Sequence, residues 1–182
     1  MNKVAVIYKS KYGSTKQYAE WIADEVKADL FEYTEVGIEN LSEYDTIIFG
    51  GGLYASGING IGIITKNFQT LKTKNLIIFT VGLASTDDKK IFKPIIEKNC
   101  TEEMRRSMQF FHLRGGIDYN RLNFVHKSMM SMLKKMVAKK KPDELSEDDK
   151  MMLETYGDKV DFTDRRTIES LVLYVEGFME QK

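Results

Sequence analysis

Hydrophobic residues form short, uninterrupted runs that alternate with segments whose apolar positions recur every three or four residues. The runs lie near residues 3–9, 28–33, 45–50, 75–82 and 108–113. Continuous runs that end in glycine, as at Gly50 and Gly82, are typical of parallel strands buried on both faces. The periodic segments predict helices over residues 14–27, 60–71, 87–99, 122–140 and 164–179.

This alternation predicts an α/β fold with a doubly wound sheet. The right-handed crossover rule favours five parallel strands in the order 2-1-3-4-5, with helices on both faces. Residues 117–162 exceed what such a fold needs between the fifth strand and the last helix, so we expect a helical insertion there within a single domain of residues 1–182. Ligands of such sheets bind beyond the carboxyl ends of the strands, where the strand order reverses.

Composition excludes several classes of function. The 182 residues carry 27 basic and 27 acidic side chains, and this balance gives no electrostatic basis for binding nucleic acid. A single cysteine and two histidines predict neither an internal disulfide nor a structural metal site. Neither a membrane-spanning run nor a signal-peptide pattern is present in the sequence, which predicts a cytoplasmic protein.

The loop after the first strand is the best candidate for binding an anion. It consists of Ser10, Lys11, Tyr12, Gly13, Ser14 and Thr15. A helix start offers unpaired backbone N–H groups and the positive end of the helix dipole, and the glycine and three hydroxyls of this loop suit a phosphate. The alternative is that Ser14 only caps the helix.

Two further loops are expected at the same sheet edge. One contains Gly51, Gly52, Leu53, Tyr54, Ala55 and Ser56, and the other contains Val81, Gly82, Leu83 and Ala84. Consecutive glycines let the backbone approach a flat ligand, and Leu53 and Tyr54 can cover one face of a ring system, unless Tyr54 is an ordinary loop tyrosine. A phosphate site beside a flat slot predicts a mononucleotide, and no P-loop, dinucleotide-binding glycine motif or nucleophile elbow is present.

Charge is segregated in the predicted insertion. Residues 114–141 hold eight bases and one acid, whereas residues 142–164 hold nine acids and two bases. Within residues 122–140 the apolar positions share one helix face and lysines occupy much of the rest: Leu122, Val125, Met129, Met132, Leu133, Met136 and Val137. Such a helix suits a membrane surface or an adaptable partner. The alternatives are that the stripe packs on the core and that the two charged segments fold against each other.

The loop Ser10–Thr15 and the glycine-rich second loop resemble those of flavodoxin-like FMN proteins. The segment Gly115–Arg121 and the basic, methionine-rich helix after it resemble the insertion of the menaquinone-dependent protoporphyrinogen oxidase family. The resemblance implies a flavodoxin-like fold and FMN held by the three loops, with no catalytic side chain. It also implies a protoporphyrinogen oxidase-like reaction that passes electrons to a quinone or another redox partner, with peripheral contact at the inner face of the membrane.

Substrate recognition in that reaction would fall to basic side chains. Arg114, Arg121 and Lys127 are the candidates for pairing with the propionates of a porphyrinogen substrate. The chain is neutral and has Leu83 and Ala84 where flavodoxin electron carriers usually place an aromatic residue. Two alternatives stay open, namely a flavodoxin-type electron carrier without its own substrate and a non-catalytic module that binds a partner through the methionine-rich helix.

Overall fold

A parallel sheet forms the centre of the protein in a computed structural model that describes residues 3–87 and 89–179. The strands of this sheet are β1 (Val4–Lys9), β2 (Asp29–Glu32), β3 (Thr46–Tyr54), β4 (Gly57–Ile58), β5 (Asn75–Gly82) and β6 (Met108–Arg114). Five of them are parallel in the order β2-β1-β3-β5-β6, while β4 pairs antiparallel with the end of β3. Counted as parallel strands alone, this is the order 2-1-3-4-5, and the predicted α/β fold is confirmed.

Helices follow most of the strands. They are α1 (Ser14–Val26), α2 (Ile38–Leu41), α3 (Gly62–Thr65), α4 (Phe68–Leu71), α5 (Lys93–Asn99), α6 (Glu102–Ser107), α7 (Phe124–Val137), α8 (Glu147–Thr155) and α9 (Glu169–Met179). The single helix predicted over residues 60–71 is wrong, because the Asn67 side chain bonds the Ile63 carbonyl and separates α3 from α4. The helix predicted over 87–99 begins only at Lys93, and α6 was not predicted.

The strand alternation sends side chains to two separate cores. Val4, Val6 and Tyr8 face the layer formed by α1 and α9, where Tyr18 and Leu171 are fully buried. Strand residues of opposite parity, Ala5, Ile7, Ile47 and Phe49, pack on the other face. They share a core there with Leu41 of α2, Ile64 of α3 and Leu71 of α4. Helices on both faces leave the carboxyl ends of the strands as the open edge of the sheet.

The insertion predicted over residues 117–162 has a defined neck. Strands β7 (Gly116–Asp118) and β8 (Lys159–Asp161) pair antiparallel and bring its two ends together. The buried Tyr18 hydroxyl donates to the Arg114 carbonyl at 2.8 Å and accepts from the Asp164 N–H at 3.1 Å. The neck thus holds α7 and α8 beside the open edge of the sheet.

Ion pairs join the basic segment, residues 114–141, to the acidic segment, residues 142–164. Arg114 pairs with Asp148 at 3.0 Å, and Lys140 pairs with Asp149 at 2.7 Å. The alternative that the two charged segments fold against each other therefore describes part of the insertion.

Candidate functional site

A cavity of about 670 Å³ lies at the carboxyl edge of the sheet. Thirteen of the sixteen residues predicted to bind a cofactor line it: Ser10, Tyr12, Ser14, Thr15, Gly52, Leu53, Tyr54, Ala55, Ser56, Val81, Gly82, Leu83 and Ala84. Lys11, Gly13 and Gly51 do not line this cavity. The fold thus brings the three predicted loops together around one space.

The first loop leaves the start of α1 open to a ligand. The residue preceding the helix is Gly13, with φ of 107°, and no side chain caps the first turn. Leading N–H groups of α1 therefore keep their capacity to bind an anion. The alternative in which Ser14 caps the helix is wrong, because Gly13 occupies the cap position and no side chain makes a capping hydrogen bond. The Ser14 hydroxyl oxygen accepts the Gly116 N–H at 3.2 Å instead.

The serine hydroxyl oxygens of this loop accept hydrogen bonds from backbone N–H groups. The Ser10 hydroxyl oxygen accepts the Gly13 N–H at 3.1 Å, just as Ser14 accepts from Gly116. Each hydroxyl keeps its own O–H to donate to a ligand. Thr15, 3% exposed, lines the same cavity, whereas the exposed Lys11 side chain lies over the Tyr12 ring.

The second loop is largely a strand and a tight turn. β3 runs to Tyr54, beyond the predicted end at residue 50, and the turn to β4 places Ala55 and Ser56 at φ of 47° and 61°. Two successive residues with positive φ form the tight turn of a hairpin. Residues other than glycine rarely adopt a positive φ. Asn99 fixes this turn, because its amide donates to the Ser56 carbonyl at 2.9 Å and accepts the Ile58 N–H at 3.2 Å.

The glycine run at the end of β3 serves packing more than approach to a ligand. A Cβ on Gly50 would lie 2.0 Å from the Phe79 ring, and one on Gly51 would lie 2.6 Å from the Asn59 carbonyl oxygen. Gly51 therefore packs against the Asn59 backbone and does not line the cavity, contrary to the prediction that it approaches a flat ligand. Gly52 lines the cavity, and a Cβ there would meet the Tyr54 ring at 2.9 Å.

Helix α7 covers the cavity, a contribution that the sequence-based site did not include. His126, Met129, Met130 and Leu133 line the space from this side. The His126 ring lies 4.9 Å from the Tyr54 ring at an interplanar angle of 18°, and its Nδ1 is 2.7 Å from the Tyr12 hydroxyl. The sequence signal for this contact was the spacing of the methionines, because the apolar face of an amphipathic helix packs against another part of the protein.

The tyrosine and histidine of this cluster have shifted pKa values. Burial, and then the nearby Tyr12, raises the pKa of Tyr54 to about 12. Burial, with a smaller contribution from the Lys11 charge, lowers the pKa of His126. Both shifts favour neutral side chains, so Tyr54 and His126 stack as uncharged rings at neutral pH.

We expect acidification to weaken the attachment of α7. Since the folded-state pKa of His126 lies below its ordinary value of 6.5, its stability contribution is present above that value and is lost as the pH falls through the folded-state pKa. Between about pH 7.5 and about pH 5.5 the melting temperature of the wild type should fall further than that of His126→Gln. Equal falls in both proteins would show that His126 does not couple stability to pH.

The third loop is held by residues of the insertion. Asp148 accepts the Ser85 N–H at 2.7 Å and the Arg114 guanidinium at 3.0 Å. The same guanidinium donates through Nε to the Leu83 carbonyl at 2.9 Å and stacks on the Phe162 ring at 3.9 Å. Arg114 was predicted to bind a substrate carboxylate, but its Nε and Nη2 donate within the protein and position the loop.

Removing the charge of Asp148 should loosen this loop. The Asp148→Asn variant weakens a charged hydrogen bond to the Ser85 N–H and the Arg114 ion pair, and we expect a stability loss of about 1–2 kcal/mol. Urea unfolding measures this loss. Asp143→Asn is the matched control, because Asp143 is exposed and makes no ion pair among the described residues. Equal losses in the two variants would contradict the role given to Asp148.

The other two predicted substrate residues lie outside the large cavity. Arg121 borders a separate depression of about 380 Å³, together with Lys16 and Lys159. Lys127 is exposed on α7. The three bases predicted to bind substrate are therefore not gathered at one point.

The part of the chain that the structure describes contains neither a metal site nor a membrane-spanning helix. Residues 3–87 and 89–179 contain no cluster of histidine, cysteine and carboxylate side chains suited to a metal ion. The same residues form no helix that is long and apolar enough to cross a membrane.

Comparison with solved structures finds flavodoxins of low sequence identity. A WrbA-like flavodoxin from Agrobacterium tumefaciens is 18% identical, with 62% of this chain and 83% of that chain covered and a TM-score of 0.42. The two-electron reduced flavodoxin of Megasphaera elsdenii is 17% identical, with 60% and 84% covered and a TM-score of 0.43.

Sequence comparison finds one short similarity and one long one. An uncharacterized protein of Methanocaldococcus jannaschii is 38% identical over 53 residues, which span 29% of this chain and 35% of that relative. The flavodoxin domain family matches residues 5–144, from β1 through α7 and into the insertion. With this match and its parallel sheet, the chain belongs to the flavodoxin domain family, which implies a flavin cofactor.

Proposed function

We propose that the protein is an FMN-dependent oxidoreductase whose small-molecule substrate places an apolar ring between the three loops and helix α7. The observation that carries this proposal is the position of α7 over the cavity. His126 contacts Tyr12 and Tyr54, while Met129 and Met130 supply an apolar lining. An apolar cavity with a few polar groups suits a small-molecule substrate.

The cavity has the features that FMN requires. The uncapped start of α1 and the hydroxyls of Ser10 and Ser14 suit its phosphate. Its ring system would lie against the hairpin of Leu53–Ser56 and the segment Gly82–Ala84, which line the same space. A volume of about 670 Å³ falls within the range of roughly 300–1,000 Å³ that is usual for cofactor sites.

The protein's own residues would bind and orient, and FMN supplies the electron transfer when bound. Asn99 holds the hairpin, and Asp148 with Arg114 holds the third loop, so the two loops facing the ring are fixed before a ligand binds. Met129, Met130 and Leu133 would exclude water from the substrate side.

A porphyrinogen is the substrate that we propose to test first, as in protoporphyrinogen IX oxidase of porphyrin biosynthesis, with a quinone as electron acceptor. The apolar lining beneath α7 supports a large hydrophobic ring. Arg121 and Lys127 are the bases still available for its propionates, since Arg114 is used within the protein.

Anaerobic mixing of the FMN-loaded protein with protoporphyrinogen tests this reaction. The yellow flavin absorbance should bleach and should return when a quinone is added. Met130→Trp fills the space beneath α7 and should slow bleaching, whereas Met132→Trp, on the exposed side of the helix, should not. Flavin that stays oxidised in the presence of protoporphyrinogen would exclude this substrate.

A diffusible electron carrier is the second candidate, and the flavodoxin domain match favours it. A carrier exchanges electrons with a protein partner and needs no space for a substrate. Electron exchange with a flavodoxin reductase that is insensitive to Met130→Trp, together with failure to oxidise any apolar substrate, would support the carrier. A chain that binds no flavin at all would instead leave the non-catalytic module.

A further inference from the structure

Helix α7 forms one wall of the cavity, yet most of its side chains lie outside any core. Val137 is the only buried residue among the fourteen of this helix. Met129 and Met130 are half-buried, and Leu133 is 43% exposed although it lines the cavity. A segment with few buried apolar contacts opens at a lower free energy than the core of its domain. This wall is therefore the part of the cavity most ready to move.

One side chain joins the first turns of α7 to the loops at the sheet edge. The His126 Nδ1 lies 2.7 Å from the Tyr12 hydroxyl oxygen, and the His126 ring stacks on Tyr54 with 4.9 Å between the ring centroids. Within residues 3–87 and 89–179, no other side chain of α7 forms a hydrogen bond or an ion pair with these loops. Loss of the contacts of this one ring would release α7 from both loops.

The last turn of α7 is attached to helix α8 instead. Val137 is 3% exposed and faces the space between α7 and α8, and just beyond the helix Lys140 pairs with Asp149 at 2.7 Å. Helix α8 is in turn fixed to the third loop, because Asp148 accepts the Ser85 N–H. A helix that is firmly held at one end and lightly held at the other has the form of a hinged element.

We propose that α7 is a hinged cover of the cavity and that the His126 ring is the latch that keeps its first turns closed. Opening would separate His126 from Tyr12 and Tyr54 and would widen the space between α7 and the loops. The loops need not move, because Asn99 holds the hairpin and Asp148 holds the third loop. FMN is the ligand that would pass this cover, a choice that rests on the proposed function.

The two contacts of the latch have a strength that suits repeated opening. A neutral hydrogen bond and an aromatic stack each shift an equilibrium by roughly two- to tenfold. Replacing His126 with alanine removes both contacts, so the open population should rise about tenfold or more. Covers of this kind control how fast a ligand enters and leaves a site.

Thiol labelling tests the latch without flavin. Val81, 6% exposed, lines the cavity at the end of β5, and Val81→Cys places a thiol on the fixed side opposite α7. The natural Cys100 is buried, and burial raises the pKa of its thiol to about 11, so it contributes little background. Adding His126→Ala should speed the labelling of Val81→Cys by a disulfide reagent about tenfold or more.

Phe124→Ala is the matched control for His126→Ala. It removes a ring from the same turn of α7, but this ring is 87% exposed and does not line the cavity. The labelling rate of Val81→Cys should be the same with and without Phe124→Ala. Thermal unfolding monitored by circular dichroism checks that every variant remains folded.

Stopped-flow mixing with FMN follows the same motion as the ligand enters. His126→Ala should raise the association rate about tenfold or more, and the dissociation rate should rise as well, because an unlatched cover opens for both entry and exit. Phe124→Ala should leave both rates unchanged. These rates are read from the flavin fluorescence and need no turnover.

Two results would overturn the latch. The first is equal labelling of Val81→Cys in the presence and absence of His126→Ala. The second is faster dissociation of FMN from His126→Ala with an unchanged association rate, which would make His126 a contact of the bound ligand only. A wild-type protein that binds no FMN would count against the proposed function, and the labelling rates would still decide whether His126 holds α7 closed.

Discussion

Replacing Gly13 with valine is expected to lower the affinity for FMN about 100-fold or more. Gly13 precedes α1 with φ of 107°, a backbone conformation that a β-branched residue does not adopt without strain. Apart from its chain neighbours, no residue in the described part of the chain has an atom within 4 Å of the Cβ position, so the effect comes from the backbone and not from a clash within the fold. Relaxation of this strain would turn the leading N–H groups of α1 away from a phosphate. Quenching of FMN fluorescence measures the affinity.

Gly157→Val is the matched control for this experiment. Gly157 has φ of 103° and lies between α8 and β8. Its Cβ position is likewise more than 4 Å from every described residue other than its chain neighbours. Both substitutions impose the same kind of backbone strain, but only one of them is at the start of α1. Unchanged FMN affinity in Gly13→Val, or equal losses in both variants, would contradict the assignment of this loop to the phosphate.

Gly50→Ala should destabilise the protein by about 3 kcal/mol, the largest stability effect that we expect from adding one methyl group. The new Cβ would lie 2.0 Å from Cζ of Phe79 and 2.5 Å from both Cε atoms. Phe79 is fully buried in the neighbouring strand β5, so its ring has no solvent-facing space into which to move. The strands β3 and β5 would have to separate, or the ring would have to leave its rotamer. Urea unfolding measures the loss.

Gly62→Ala provides the comparison for Gly50→Ala. The nearest atom to a Cβ on Gly62 is the end of the flexible Lys66 side chain at 3.7 Å, and Gly62 lies within helix α3. Alanine favours a helix more than glycine does, so this variant should be neutral or slightly more stable. A Gly50→Ala protein as stable as Gly62→Ala would show that β3 and β5 do not pack as the structure has them.

Strand order was predictable because buried parallel strands have a simple sequence pattern. The runs that close at Gly50 and Gly82 are mostly apolar, and the crossover rule then leaves few arrangements. The end of β3 was harder to predict, because Gly50–Gly52 read as a loop in sequence. Those glycines stay in the strand because Phe79 and Asn59 occupy the space where side chains would be.

The part of the site at the sheet edge could also be predicted from the sequence, whereas the cavity-lining residues of the insertion could not. Loops that follow parallel strands must meet at the carboxyl edge, so their residues could be named in advance. The contact between Tyr12 and His126 joins residues 114 positions apart, and that between Ser85 and Asp148 joins residues 63 apart. Such pairings depend on how the neck formed by β7 and β8 directs the insertion, which no local pattern specifies.

Arg114 shows why a basic residue is a weak indicator of a substrate site. Its sequence context suited a carboxylate ligand, and the structure supplies a carboxylate from within the chain, that of Asp148. The acidic segment that follows α7 had the composition to do this, but composition alone does not say which acid meets which base.

Parallel titrations of the purified protein with FMN and with riboflavin test the proposed site most directly. The two ligands share the ring system and differ by the phosphate, so their affinity ratio isolates the loop Ser10–Thr15 at the start of α1. We expect one FMN bound per chain and an affinity for riboflavin that is about 100-fold lower. Failure to bind FMN, or equal affinity for the two ligands, would contradict this site.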